Sequence, residues 1–131
     1  MKKLLLFILF LSFTLFAGVI REGSLKALSD GNNITVQWGS ADEGTVVEYH
    51  VERCAGMTGE FSIIASVQPK GTNSSYEYID RTAFKTDASI YQYRIKILKR
   101  DSEFEYSKNI TVSHNVSSVK RTWGSLKAMF R

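Results

Sequence analysis

The stretch SIYQYRIKIL, residues 89 to 98, alternates strictly. Tyr91, Tyr93, Ile95 and Ile97 fall on one side, and Gln92, Arg94 and Lys96 on the other. Successive side chains of an extended strand point to opposite faces, so this pattern predicts a half-buried antiparallel strand. The same period recurs outward from it. NITVQW (33 to 38) sets Ile34, Val36 and Trp38 on one face, and VVEYHVERC (46 to 54) does so with Val47, Tyr49 and Val51. FSIIASV (61 to 67), SYEYID (75 to 80) and FEYSKNITVS (104 to 113) add three more strands, and SLKALS (24 to 29) a weaker first one. DGNN (30 to 33), AGMTGE (55 to 60), PKGTNS (69 to 74), RTAFKTDA (81 to 88) and KRDSE (99 to 103) supply turn chemistry between them. Seven short strands in under a hundred residues predict an all-β fold, a seven-stranded antiparallel β-sandwich.

Order and spacing carry a further resemblance. Trp38 in the second strand, Tyr49-x-Val51-x-Arg53 in the third and Tyr91-x-Tyr93-Arg94-Ile95 in the sixth resemble the fibronectin type III pattern, an immunoglobulin-like sandwich. The resemblance implies Trp38 as the aromatic packed between the sheets. It implies Tyr91 as the corner tyrosine, its hydroxyl bonded to an upstream backbone group. YEYIDRT (76 to 82) followed by YQYRIK is similar to bacterial members of the family. Residues 92 to 112 resemble the last hairpin before the sorting domain of type-nine-secreted surface proteins. The likeness spans residues 24 to 113, and the family's proline-rich loop before the sixth strand is absent. The expected core is Trp38, Tyr49, Val51, Tyr91, Tyr93 and Ile95.

The first 17 residues follow the layout of a secretory signal peptide. Lys2 and Lys3 precede an apolar run from Leu4 to Phe16, and Ala17 offers a small residue for cleavage. The run is short for a membrane span. Export is therefore expected, with an uncleaved N-terminal anchor as the alternative. Cys54 is the one cysteine, which excludes an intramolecular disulfide and reads as a small buried apolar residue.

The net charge of +4 divides unevenly. Residues 18 to 115 hold 11 basic and 13 acidic residues. Residues 116 to 131 hold Lys120, Arg121, Lys127 and Arg131 with no acid. So balanced a body implies no nucleic-acid surface. In the last segment Val116, Val119, Trp123, Leu126 and Phe130 recur at three- and four-residue spacing, which predicts a short basic amphipathic helix. Three readings of this tail stand open. It covers an edge of the sandwich, docks on a protein partner or envelope assembly, or makes weak contact with anionic membrane. The candidate partner-binding residues are Val119, Trp123, Leu126, Phe130, Lys120, Lys127 and Arg131.

No arrangement for catalysis stands out. His50 and His114 have no metal-ligand spacing, and His50 reads as a solvated surface residue. A His50–Cys54 nucleophile pair lacks a third orienting group. Asp42 with Glu43, and Asp101 with Glu103, read as solvated turn charges rather than paired catalytic carboxylates. Arg94 and Lys96 face outward toward Glu48 and Glu52 of a neighbouring strand. No catalytic residue, metal or cofactor is expected. The sequence predicts a signal peptide (1 to 17), a sandwich (18 to 115) and a tail (116 to 131). Its function would be that of a non-enzymatic binding or structural module, docked or assembled through the tail. The alternative is a small accessory subunit of a surface complex, with the tail packed as structure only.

Overall fold

The computed structural model describes residues 18–83, 88–115 and Leu126, Lys127 and Met129. Its elements are eight strands: β1 (Lys26–Ser29), β2 (Ile34–Gly39), β3 (Val46–Ala55), β4 (Ser62–Val67), β5 (Ser75–Asp80), β6 (Ile90–Lys99), β7 (Phe104–Tyr106) and β8 (Ile110–Ser113). They form two antiparallel sheets. One has the order β1-β2-β5; in the other, β4-β3-β6 continues into β7 and β8, which both pair with β6.

The core lies between the sheets because each strand sends alternate residues inward. From β2 come Ile34, Val36 and Trp38, from β3 Tyr49 and Val51, and from β6 Tyr91, Tyr93, Ile95 and Ile97, all buried. Trp38 stacks on Tyr76 of β5 at 5.2 Å and meets Tyr49 edge-on at 5.9 Å, so the tryptophan joins the two layers. The Tyr91 hydroxyl donates to the carbonyl of Ala83, 2.5 Å away and fully buried. That bond ties β6 to the loop before it. In the β1–β2 turn, Asp30 Oδ1 accepts the amides of Asn32 and Asn33, and Gly31 sits at φ +86°, where a side chain would be strained.

Three expectations need correction. The seven-strand count becomes eight, because 104 to 113 is not one strand. Between the Lys96–Tyr106 and Tyr93–Ile110 pairs, three steps along β6 face four along its partner, which is a β-bulge. Ser107 fills the gap: its amide donates to the Ile95 carbonyl and its hydroxyl accepts the Ile95 amide, both at 2.8 Å. Second, Val47 is exposed rather than facing the core, because the β3–β6 register shifts between Val46 and Glu48 and Val46 turns inward instead. Third, no helix is an element of the described structure, so the short C-terminal helix is not part of the observed fold. Most of 116 to 131 lies outside the described residues, as do residues 1 to 17. The three described positions there, Leu126, Lys127 and Met129, have helical backbone, and all three are exposed.

Candidate binding face

The residues that alternate away from the core build the outer face of the larger sheet. From β6 these are Gln92, Arg94, Lys96 and Leu98. Pairing sets Lys96 beside His50 of β3 and Tyr106 of β7, Arg94 beside Glu52, and Leu98 beside Phe104. The short β7 thus brings two aromatic rings into line with two cations. Phe61, just before β4, supplies a third ring.

Arg94 is the centre of this layer. Its guanidinium carbon lies 4.1 Å from the centre of the Phe61 ring and 4.0 Å from that of Tyr106. Its Nε and Nη2 both donate to Glu52 Oε1, at 3.0 and 2.8 Å. Glu52 is buried beneath it, at 5% exposure. Lys96 Nζ lies 4.4 Å over the Phe104 ring, and Phe104 meets Tyr106 edge-on at 5.4 Å. Each cation–π contact contributes about 0.5–1 kcal/mol at such partly exposed sites. They hold the long side chains flat against the sheet. Phe104 is nevertheless 54% exposed, Tyr106 44% and Ile63 of β4 55%. Glu48, at the top of the same face, is 3.0 Å from His50 Nε2 and accepts from Gln68.

Two polar clusters lie elsewhere and are structural. Asp80, the last residue of β5, is 1% exposed. Its Oδ2 accepts from Arg53 and from the Tyr93 hydroxyl, each at 2.7 Å, and its Oδ1 accepts from the Thr82 amide and hydroxyl, each at 2.9 Å. Burial alone would raise the carboxyl pKa, but the bonds from Tyr93, Arg53 and Thr82 together hold it below the usual carboxylate range. The Tyr93 phenol is pushed up, by burial first and by its bond to Asp80 second. The second cluster centres on Glu43, and here the turn reading is corrected. Asp42 is exposed, but Glu43 is 7% exposed and accepts from the Ser40 hydroxyl and from Tyr76 Oη at 2.7 and 2.9 Å. Burial, with the Glu43 charge close by, pushes the Tyr49 phenol up as well.

The core residues read from the sequence, Trp38, Tyr49, Val51, Tyr91, Tyr93 and Ile95, all lie between the sheets, away from this face. His50 is half-buried against Glu48 rather than solvated. Cys54 is 1% exposed, and its thiol faces the carbonyls of Ala55 and Gly56. No group of three His, Cys, Asp or Glu placed to hold a metal occurs among the described residues. Of the tail candidates, Leu126 and Lys127 are exposed, and Val119, Lys120, Trp123, Phe130 and Arg131 lie outside the described residues. An open cleft of about 610 Å3 separates residues 18–25 from 105–110, with Val19, Ile20, Leu25 and Ile97 among its lining. The cleft also presents the charged residues Arg21, Glu22, Glu105 and Lys108. Sequence reasoning placed Arg94, Lys96, Glu48 and Glu52 on one outer face and missed Phe61, Phe104 and Tyr106. The signal that finds the last two is the period-two pair in FEY, read in register with the hairpin partner.

No protein-family model and no curated protein matches the chain. Solved structures do. The fourth FNIII domain of a human protein superposes with a TM-score of 0.53 at 18% identity, covering 72% of this chain and 76% of that one. Pectate lyase Pel3 from Pectobacterium carotovorum superposes with a TM-score of 0.53 at 23% identity, over 68% of this chain and 26% of the enzyme. Pectate lyase PelI from Erwinia chrysanthemi, solved in complex with tetragalacturonic acid, gives 0.52 at 18% identity over 68% and 27%. This chain therefore spans about a quarter of the length of the lyases it matches. The shared feature is the fold, a fibronectin type III-like sandwich.

Proposed function

We propose that the chain is an exported, non-enzymatic binding or structural module whose contact surface is the outer face of β3, β6 and β7. One observation carries this reading. Phe104 and Tyr106 stay about half exposed on a sheet face where Arg94 and Lys96 already hold them in place. Aromatic rings and arginine, prearranged on a flat surface, are the composition of interface centres. A merely solvated sheet face has no need of them. The fold neighbours support the module reading, since a sandwich of this kind matches both a separate FNIII domain and a quarter of a longer enzyme. Export rests on the layout of residues 1 to 17, with a bacterial surface protein as the source that the strand motifs favour. The four positive charges and no acid of 116 to 131 support an auxiliary electrostatic contact with an envelope component.

The test is the double variant Phe104→Asp/Tyr106→Asp, with retention in the cell-envelope fraction and thermal stability measured together. The variant gives up the ring contacts of Arg94 and Lys96, about 0.5–1 kcal/mol each, so melting should fall by several degrees while the buried core between the sheets stays intact. Lost retention by a variant that is still folded at the assay temperature is the expected result. Retention equal to that of the natural chain would refute the assignment of this face.

A further inference from the structure

The charges on the outer face pair unequally. Arg94 and Glu52 satisfy each other within the chain at 2.8 Å. Lys96 has no carboxylate within salt-bridge distance among the described residues, and Glu48 has no lysine or arginine there, only His50 and Gln68. Lys96 and Glu48 lie diagonally on neighbouring strands, because Lys96 pairs with His50 and Glu48 with Leu98. One unmatched charge of each sign on one flat, aromatic-bearing surface makes that surface complementary to itself.

We infer that the partner of this face is a second copy of the chain, the two larger sheets packing outer face to outer face. A two-fold contact requires that residue i of one copy meet residue j of the other and the converse. A two-fold axis lying in the interface, midway between Glu48 and Lys96 and perpendicular to the line joining them, sets each Lys96 over the other copy's Glu48. The same rotation brings the two Phe104 rings close to one another. The area sets the class of contact. Four strands about 4.8 Å apart and up to ten residues long present a face of roughly 20 by 30 Å, about 600 Å2 per copy. That places the dimer at the lower end of specific interfaces, the size class of weak and transient contacts. It is therefore a dimer formed by local crowding, as when many copies share one surface.

This inference rests on reading the outer face as the contact surface, and the experiment separates the two. Sedimentation equilibrium of the chain as the cell processes it, up to about 1 mM, should show reversible dimers. Lys96→Glu and Glu48→Lys should each weaken association about tenfold or more, since each sets like charges together. The combined Glu48→Lys/Lys96→Glu chain should regain it. Phe104→Asp should abolish it, while Leu28→Asp, on the outer face of the other sheet, should leave it unchanged. Melting curves identify any variant that fails to fold, and the remaining charge reversal then carries the comparison. A natural chain that stays monomeric, a double reversal that restores nothing, or equal loss from Leu28→Asp would overturn the dimer. If the chain stays monomeric while Phe104→Asp still abolishes envelope retention, the dimer falls and the contact face stands.

Discussion

Asp80→Asn removes one charge from the best-connected polar group in the interior while keeping its shape. The carboxylate accepts four hydrogen bonds, and an amide can accept at only one of its two heavy atoms. Whichever way the amide turns, its NH2 group faces either the Arg53 and Tyr93 donors or the Thr82 donors. Arg53 then keeps its charge at 18% side-chain exposure with no counter-ion beside it. Breaking a buried pair by removing one partner costs about 3–5 kcal/mol. For a domain of about 100 residues, 1 kcal/mol shifts the melting temperature by about 4–8 °C, so a fall of at least about 12 °C is expected at neutral pH. The pH dependence adds a second check. The folded carboxyl titrates below its unfolded value of about 3.9. Its stabilisation is therefore complete above that value and is lost as pH falls through the folded one. Thermal unfolding followed by circular dichroism from pH 7 to pH 2 should show the gap between the two proteins holding down to about pH 4, then closing. A loss under about 1 kcal/mol at pH 7, or a gap that stays constant to pH 2, would refute the view that this cluster anchors β5 to β6 through charge.

Other substitutions probe separate joints of the sandwich. Trp38→Ala should cost about 3–5 kcal/mol in urea unfolding, because the indole bridges the sheets with almost no exposure. Tyr91→Phe leaves the buried Ala83 carbonyl without that donor and should cost about 1–3 kcal/mol, read by the same titration. Ser107→Ala strips the Ile95 amide of its acceptor, with a similar cost of about 1–3 kcal/mol. Ser107→Thr, which keeps the hydroxyl, should recover most of it, and amide exchange at Ile95 would register the difference.

The strands were legible because packing and local pattern agree. Every core residue of β2 and β6 could be placed from alternation alone, since each strand buries one face and a register slip would expose it. Val47 was misread because a bulge changes the parity of one residue without altering composition. Residues 104 to 113 were misread as one strand because Ser107 replaces a backbone acceptor with a hydroxyl, which no pattern of apolar residues records. The burial of Glu43 and of Asp80 was equally hidden. Each depends on a tyrosine from a different strand, Tyr76 and Tyr93, and turn-like sequence around an acid says nothing about such distant donors. The outer face was half legible. Its charges followed from β6, but its rings come from β7 and from the residue before β4, and only pairing brings them together.

The His114 contact has a mechanical consequence. Ser29, at the end of β1, and His114, just past the end of β8, share a hydrogen bond of 2.6 Å, while Leu25, just before β1, and Ile110, the first residue of β8, line one cleft. Strands β1 and β8 therefore run side by side in the same direction, on different sheets. The described chain enters the sandwich at one end, at Gly18, and leaves it at the other, at Asn115. Tension applied between those points pulls β1 against β2 and β8 against β6 lengthwise, loading many ladder bonds at once instead of peeling them singly. The sandwich is thus strung to resist extension along that direction.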